Sequence, residues 1–289
     1  MTSPTKILVI GSTGYLGLHI IKLLQKSQYQ FVALARNKQK LLQVGMNEAS
    51  IIEAQVTDQN TLVGICKGID IVISCLGITR QQDGLSYEDV DYQANLNVLL
   101  EAEQSGVKRF IYVSAFNAQK YPGVRILKAK EKFATRLLNS TRLFPCVIRP
   151  NGFFSDLEEI YYMATKGRVY QFGVDAKYMN PIHGADLAKY CLIAMNNDSR
   201  ELDIGGPETL TTKRLAQAAF QAQNKPEKIV IIPDIIRRIT ILIMKILPEK
   251  WGGPAEFFLT AMGNDAKAPE YGKHKIADYY AEMFQKEQS

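Results

Sequence analysis

The stretch ILVIGSTGYLGLHIIKLL, residues 7–24, decides the fold class of this chain. A continuously apolar run is followed by three glycines and then by an amphipathic helical pattern. Gly11 permits a tight turn, Gly14 lets the backbone approach a pyrophosphate, and Gly17 allows the helix to pack closely on the strand. Backbone N–H groups at a helix N-terminus also favour an anion. This strand–turn–helix context predicts a dinucleotide-binding loop rather than a purely structural turn.

Further apolar runs alternate with helical stretches in the first half of the chain. The strand-like runs are residues 6–11, 31–36, 49–56, 70–77, 109–116 and 145–150. Continuously hydrophobic strands separated by helices indicate a parallel sheet covered on both faces. We therefore predict an α/β protein with a Rossmann-type, doubly wound parallel sheet over residues 1–150. The pattern loosens afterwards, which predicts a smaller, partly interwoven C-terminal substrate-binding region over residues 151–289.

Composition narrows the class of protein further. The 289 residues carry a net charge of +6, but the basic residues are spread along the chain, so we expect no nucleic-acid partner. The four cysteines form no CxxC pair and the three histidines are scattered, which predicts reduced thiols and no metal site. We see no signal-peptide pattern and no apolar run of about 18 residues, and we expect a cytoplasmic protein.

The second predicted strand ends in ALARNKQK, residues 33–40, and this segment bears on the choice of cofactor. NAD-binding proteins usually place an acidic residue here against the ribose 2′-hydroxyl. Arg36 can instead clamp a 2′-phosphate, with Lys38 and Lys40 close behind. Simple solvation remains an alternative for the two lysines. NADP(H) is therefore favoured over NAD, and the hydroxyls of Ser12 and Thr13 are candidate phosphate donors.

Four later motifs carry a resemblance to a known family. They are GVKRFIYVSAFNA (106–118), VIRPNGFF (147–154), NPIHGADLAKYCL (180–192) and DIGGPETLT (203–211). With the GxxGxxG loop, they resemble the atypical short-chain dehydrogenases/reductases of the NmrA-like group over nearly the whole chain. The tail is similar to the branch that contains the divinyl chlorophyllide 8-vinyl-reductases. The resemblance implies an NAD(P)-binding oxidoreductase.

The loop and the resemblance together define the residues that we expect to bind the cofactor. The family commonly has a Gly-Asp pair, whose acid reaches the adenine, where this chain has Ala54-Gln55; the Gln55 amide is the candidate for that contact. Asp58 is expected to cap the next helix. The expected cofactor-binding residues are Gly11, Ser12, Thr13, Gly14, Tyr15, Leu16, Gly17, Arg36, Lys40, Gln55, Val56, Leu76, Gly77, Ser114, Lys130 and Pro150.

The family's usual mechanism uses a tyrosine, a lysine four residues later and a serine on the preceding strand. Ser114 fits the serine. On a helical wheel Lys130 lies on the apolar stripe, whereas the two neighbouring lysines, Lys128 and Lys132, point away from it. A buried ammonium needs a partner, for which cofactor ribose hydroxyls are candidates, although a lysine at the core edge would also fit. Ile126 stands where the tyrosine is expected, which leaves Tyr121 as a candidate acid.

Two features of the C-terminal region bear on the substrate. We expect His183 to be a structural support rather than a catalyst, and Asp186 to cap the helix that follows it. The segment DIIRRITILIMKILP, residues 234–248, has more apolar surface than one core-facing stripe requires. It fits a core or lid helix, a dimer contact, or a membrane-surface contact through residues 235–247.

These observations favour an NADP-dependent reductase acting on a hydrophobic small molecule, either a carbonyl compound or an activated alkene. The missing tyrosine keeps a second interpretation open, a non-catalytic NADP(H)-binding redox sensor. The apolar tail helix keeps a third, an auxiliary factor of a membrane-associated complex. The sequence does not predict the oligomeric state.

Overall fold

Strands alternate with helical segments up to residue 150 of the computed structural model, which describes residues 5–79, 84–175 and 177–288. In chain order the strands are β1 (Lys6–Ile10), β2 (Gln30–Ala35), β3 (Ile51–Glu53), β4 (Ile71–Ser74), β5 (Arg109–Val113), β6 (Phe144–Pro150), β7 (Val169–Phe172), β8 (Tyr178–Met179), β9 (Glu201–Ile204), β10 (Leu210–Thr211) and β11 (Ile229–Ile232). The helices are α1 (Tyr15–Leu24), α2 (Gln39–Gln43), α3 (Asn95–Gln104), α4 (Arg125–Leu138), α5 (Glu158–Thr165), α6 (Gly184–Ile193), α7 (Thr212–Ala222), α8 (Asp234–Ile246), α9 (Glu249–Met262) and α10 (Ile276–Gln288).

One sheet of seven strands contains all six predicted strands, in the order β3-β2-β1-β4-β5-β6-β9. The pairs from β3 through β6 are parallel. The chain runs outward from β1 to β3 and then crosses back to β4 on the other side of β1. This order defines the Rossmann-type, doubly wound sheet, so the predicted fold class is confirmed. It also creates a switch point between β1 and β4, where such sheets bind their ligands.

The chain divides into two compact units and crosses between them more than once. The first unit contains the chain up to Arg149 and also Leu187–Leu202, and the second contains Pro150–Asp186 and the remainder from Asp203. The first break lies next to the expected boundary at residue 150. The return of 187–202 to the first unit is a crossing whose position the sequence did not predict.

The second unit has its own apolar core and two short sheets. β7 pairs in parallel with β11, and β8 pairs antiparallel with β10. Buried side chains from α5, α7 and α10, among them Tyr161, Phe220 and Tyr280, form its core. A largely apolar cavity of about 290 Å³ lies between β7, β11, α5, α7 and α9. Its polar lining includes Gln171 and Thr212.

Helix α8 presents its apolar side outward. Six of its residues are between 48% and 86% exposed: Ile235, Ile236, Ile239, Leu242, Ile243 and Ile246. The one buried residue of this helix is Arg237. The interpretation of α8 as a core helix is therefore wrong. None of the helices among the described residues combines the length and the apolar character that a membrane span requires.

Candidate dinucleotide-binding site

A cleft of about 220 Å³ opens at the carboxyl ends of the first four strands of the sheet. This is the edge of the sheet at which doubly wound folds bind ligands. The described residues that line the cleft are Gly11, Thr13, Gly14, Leu34, Ala35, Arg36, Gln55, Val56, Thr57, Cys75, Leu76, Gly77, Ile78, Leu85 and Val90. Eight of them belong to the predicted cofactor-binding set, so residues far apart in sequence meet here as expected.

The glycine loop is shaped for close backbone approach. Gly11 has φ +74°, and a Cβ there would lie 2.8 Å from the carbonyl carbon of Cys75. A Cβ on Gly17 would lie 2.2 Å from the carbonyl oxygen of Gly11, so α1 packs directly against the turn. Gly14 is the N-cap of α1, and the first turn contains no acidic residue. These features fit a pyrophosphate at the helix N-terminus.

The two hydroxyls of the loop differ in their surroundings. The buried Ser12 hydroxyl donates to the carbonyl oxygen of Leu34 at 2.6 Å, which ties the loop to the end of β2. The expectation that this hydroxyl donates to a phosphate is therefore wrong. Thr13 lines the cleft, so its hydroxyl is the better placed candidate. Tyr15 and Leu16 occupy the first turn of α1.

The basic residues after β2 also separate into different environments. Arg36 is exposed and lines the cleft. Lys38 forms an ion pair with Glu48, and this contact raises the pKa of Lys38. Lys40 is exposed on α2 and is not among the residues that line the cleft. Since the described lining contains no carboxylate, Arg36 is its single formal charge.

The segment after β3 contributes Gln55 and Val56 to the cleft. The Gln55 backbone is fixed by Thr61, whose hydroxyl donates to the Gln55 carbonyl at 2.9 Å. Asp58 accepts a hydrogen bond from the Asn60 N–H at 3.0 Å and caps the short helical turn that follows, as predicted. Gln55 thus occupies the position expected for an adenine contact.

Lys130 forms a buried ion pair directly behind the cleft wall. Its ammonium lies 2.8 Å from Asp91 Oδ1; the Lys130 side chain is 13% exposed and that of Asp91 is fully buried. A Cβ at Gly77 would lie 2.6 Å from both Asp91 Oδ1 and Lys130 Nζ, so a side chain there would displace this ion pair. Asp91 Oδ2 accepts from the Ile78 N–H at 3.3 Å. The helical wheel correctly predicted that Lys130 faces inward, but it did not predict that a carboxylate would bind this lysine.

Asp91 lies in a π-helical turn, Glu88–Ala94, that leads into α3. Such turns widen the helix and are frequent at functional sites. The Asn95 amide donates to the carbonyls of Val90 and Asp91, and its oxygen accepts from the Ser74 hydroxyl at 2.6 Å. The turn is thereby fixed to the end of β4, which holds the Asp91 carboxylate against Lys130. Sequence reasoning missed Asp91, although it shares the apolar helical face of Val90, Ala94 and Val98.

The two remaining catalytic candidates, Ser114 and Tyr121, lie in different environments. Ser114 follows β5 and is buried, and no described residue forms a hydrogen bond with its hydroxyl oxygen. Tyr121 lies in the turn before α4, outside the described lining of the cleft, and partial burial raises its pKa. Ile126, which stands where the tyrosine is expected, is buried. Pro150 is the last residue of β6 and is also buried.

Tyr112 is a further neighbour of Lys130 that sequence reasoning missed. It is fully buried on β5, and Lys130 Nζ lies 6.0 Å from the centroid of its ring. Burial raises the pKa of Tyr112. Residues two positions apart on a strand point to the same side of it. The spacing between Tyr112 and Ser114 was therefore the signal in the sequence that could have identified Tyr112. Tyr112 therefore forms part of the wall that surrounds the Lys130 ammonium.

In the second unit, His183 and Asp186 have roles different from a catalytic pair. His183 Nδ1 accepts from the Ala185 N–H at 3.2 Å, as a support at the start of α6. Asp186 accepts from the backbone N–H groups of Lys273 and His274, at 2.8 and 3.0 Å. Burial raises the pKa of Asp186, but these hydrogen bonds outweigh the effect of burial, and the pKa of Asp186 is lowered. The prediction that Asp186 caps its own helix is wrong, because its side chain binds this distant segment.

Fold and cleft together define a dinucleotide-binding protein of the Rossmann type. The family model described as NAD(P)H-binding matches residues 11–198, well over half of the chain, and the protein belongs to this family. The prediction of a nicotinamide dinucleotide cofactor, NAD(P)H, is thereby confirmed.

Similarity to individual proteins agrees with this membership. The chain is 27% identical to divinyl chlorophyllide a 8-vinyl-reductase, chloroplastic, of Arabidopsis thaliana, across 96% of this chain and 76% of that protein. It is 29% identical to photosystem II assembly factor Ycf39 of a Synechocystis strain, across 67% of this chain and 59% of that protein. The solved structure of an Escherichia coli NADPH-dependent quinone oxidoreductase with NADPH superposes with a TM-score of 0.74 at 16% identity, covering 96% and 99% of the two chains. The last likeness shows the fold.

Proposed function

We propose that this protein is an NADP(H)-dependent reductase that acts on a hydrophobic small molecule, either a carbonyl compound or an activated alkene. The observation that carries the cofactor preference is Arg36 in a cleft whose described lining has no carboxylate. A guanidinium binds a 2′-phosphate through two parallel hydrogen bonds, whereas a carboxylate would repel it. The 8-vinyl-reductase relative supports alkene reduction, and the apolar cavity of the second unit supports a hydrophobic ligand.

When bound, NADPH supplies the hydride. The backbone of Gly11–Gly17 would hold the pyrophosphate, Arg36 the 2′-phosphate, and Gln55 the adenine. An ammonium has three N–H donors, so Lys130 can donate to Asp91 and to a ribose hydroxyl at the same time. The Ser114 hydroxyl would hydrogen-bond the substrate. Either the Lys130 ammonium or the Tyr121 phenol would transfer the proton.

The cofactor part of the proposal is tested by titrating the protein with NADPH and with NADH. We expect NADPH to bind more tightly, and Arg36→Glu to weaken NADPH binding by about 10- to 100-fold, since hydrogen bonds to charged groups contribute about 1.5–3 kcal/mol. NADH binding should change far less. The matched control is Lys26→Glu, an equal change of charge at an exposed residue beyond α1. Equal affinities of the wild type for both cofactors would refute the role of Arg36.

A second candidate function is a non-catalytic NADP(H)-binding protein. The specific observation that favours it is the buried Ile126 in place of a proton donor, combined with the Asp91 carboxylate already bound to Lys130. The relative named as a photosystem II assembly factor points in the same direction. In this case the bound dinucleotide would regulate assembly or association with a partner.

Turnover separates the two candidates. NADPH oxidation is followed with divinyl chlorophyllide and with quinones as substrates, using the wild type and the Lys130→Met and Tyr121→Phe variants. The reductase predicts turnover that Lys130→Met abolishes, and Tyr121→Phe decides whether the phenol supplies the proton. NADPH binding without oxidation of the dinucleotide by any substrate in the panel would favour the non-catalytic protein.

A further inference from the structure

The outer face of α8 combines exposed apolar side chains with cations in a fixed arrangement. At about 100° per residue, the six exposed apolar residues of this helix fall within an arc of about 120°. Arg238 and Lys245 lie together beyond one border of that arc. The inner side faces the protein, where Arg237 is buried. The helix is therefore amphipathic with its apolar side exposed, the reverse of a helix that closes a core.

The apolar face continues into the start of α9. Leu247 is exposed, and Trp251, the single tryptophan of the chain, is 69% exposed. The Lys250 ammonium lies 5.5 Å from the centroid of the Trp251 ring. Exposed apolar patches of this extent on a soluble domain usually mark an interaction surface. Tryptophan beside lysine is typical of side chains at a membrane–water boundary, since both have an apolar body and a polar end.

Charge decides among the possible occupants of this face. Residues 234–251 contain four cations and two carboxylates, and one of the carboxylates, Asp234, is bound by Arg237 and Arg238. A second copy of the chain docked through the same face would bring like charges together. An anionic lipid surface instead complements the exposed cations and accepts the apolar arc.

We propose that α8 and the start of α9 dock this protein on the surface of a membrane that contains anionic lipids. Helix α8 has 13 residues, about 20 Å at 1.5 Å per residue, which is shorter than a hydrocarbon core of about 30 Å. The helix therefore lies along the surface. Its apolar arc enters the boundary between headgroups and acyl chains, while Arg238, Lys245 and Lys250 contact lipid phosphates.

The test uses the full chain with two kinds of vesicle, phosphatidylcholine alone and phosphatidylcholine mixed with phosphatidylglycerol. We expect sedimentation with the mixed vesicles, accompanied by a blue shift of Trp251 fluorescence, and much weaker binding to phosphatidylcholine alone. Ile239→Asp with Leu242→Asp should weaken binding by more than about 100-fold, because two large apolar side chains no longer enter the bilayer. Lys245→Gln should weaken it by about fivefold.

The control is Val63→Asp, a substitution at a side chain 79% exposed in the first unit. All of these positions are exposed, so far-UV circular dichroism should show unchanged folding. Three results would overturn the proposal: no sedimentation with either vesicle, binding that the α8 variants leave intact, or binding that does not depend on phosphatidylglycerol. A dimer that Leu242→Asp dissociates, in a protein that binds no vesicle, would identify the face as a contact between copies.

Discussion

Helices α4 and α8 are both basic and amphipathic, but the protein buries opposite faces of them. In α4 the apolar residues are buried and Lys128 and Lys132 are exposed. In α8 the apolar arc is exposed and the buried residue is Arg237. The period of a sequence thus determines which residues share a helix face. It does not determine whether that face meets the core or another surface.

Each helix also turns one cation inward, and the two cations differ in how their carboxylates are held. Asp91, which binds Lys130, is fully buried and comes from a distant turn of the chain. Asp234, which binds Arg237, is one turn earlier on the same helix and is one third exposed. Removing Lys130 leaves the Asp91 carboxylate buried without its cation, whereas removing Arg237 leaves the Asp234 carboxylate within reach of water. The two pairs should therefore differ in how much stability depends on them.

The largest effect should follow the loss of Lys130. Lys130→Met leaves the Asp91 carboxylate buried with the Ile78 N–H as a remaining donor, and we expect the free energy of unfolding to fall by about 3 kcal/mol. Urea unfolding without cofactor measures it. Adding Asp91→Asn to Lys130→Met should restore much of the loss, because the buried charge is then gone.

Lys132→Met is the matched control, since Lys132 is exposed on the same helix and pairs with the exposed Glu88. It should leave the unfolding free energy close to that of the wild type. Purely additive costs of Lys130→Met and Asp91→Asn would show that the two groups do not interact.

A smaller effect is expected from Arg237. Its guanidinium donates to the Leu259 carbonyl at 3.0 Å and to Asp234 Oδ1 at 2.6 Å, and so joins α8 to α9. Arg237→Met should lower the unfolding free energy by about 1–2 kcal/mol, since Asp234 keeps Arg238 and access to water. Hydrogen exchange of the α9 amides should increase. Arg238→Met, at an exposed position, is the control; an equal loss of stability in both variants would contradict a special role for the buried guanidinium.

Sequence patterns predicted the parts of the molecule that depend on local physics. Continuous apolar runs identified the six strands, and the glycine spacing identified the dinucleotide-binding loop. The helical wheel predicted that Lys130 faces inward. Arg36 was predicted to bind the cofactor because it stands at the end of the second strand, where NAD-binding proteins usually place an acidic residue. Each of these depends on residues within a few positions of one another, and local geometry is enough to place them.

The contacts that were not predicted join residues far apart in the chain. Asp91 meets Lys130 across 39 positions, and Asp186 meets His274 across 88. The Ser12 hydroxyl is bound by Leu34, whose carbonyl comes within reach only once β1 and β2 are paired. The exposure of the α8 apolar face likewise depends on what packs around the helix. Such features arise from tertiary contacts, which periodicity does not encode.

The smallest effect should be a pH dependence that separates α8 from α4. Hydrogen bonds from Arg237, followed by those from Arg238, hold the pKa of Asp234 at about 2, against about 3.9 in an unfolded chain. A lowered pKa stabilises the folded state above pH 4, and this contribution is lost as the pH falls toward 2. Because the carboxylate is one third exposed, solvent weakens the effect.

The free energy of urea unfolding, measured as a function of pH, reports this contribution. It should show a step between about pH 4 and 2, and in Asp234→Asn this step should be smaller. Asp198→Asn, at an exposed carboxylate of the first unit, should keep the step. A step of equal size in all three proteins would mean that Asp234 does not tether α8.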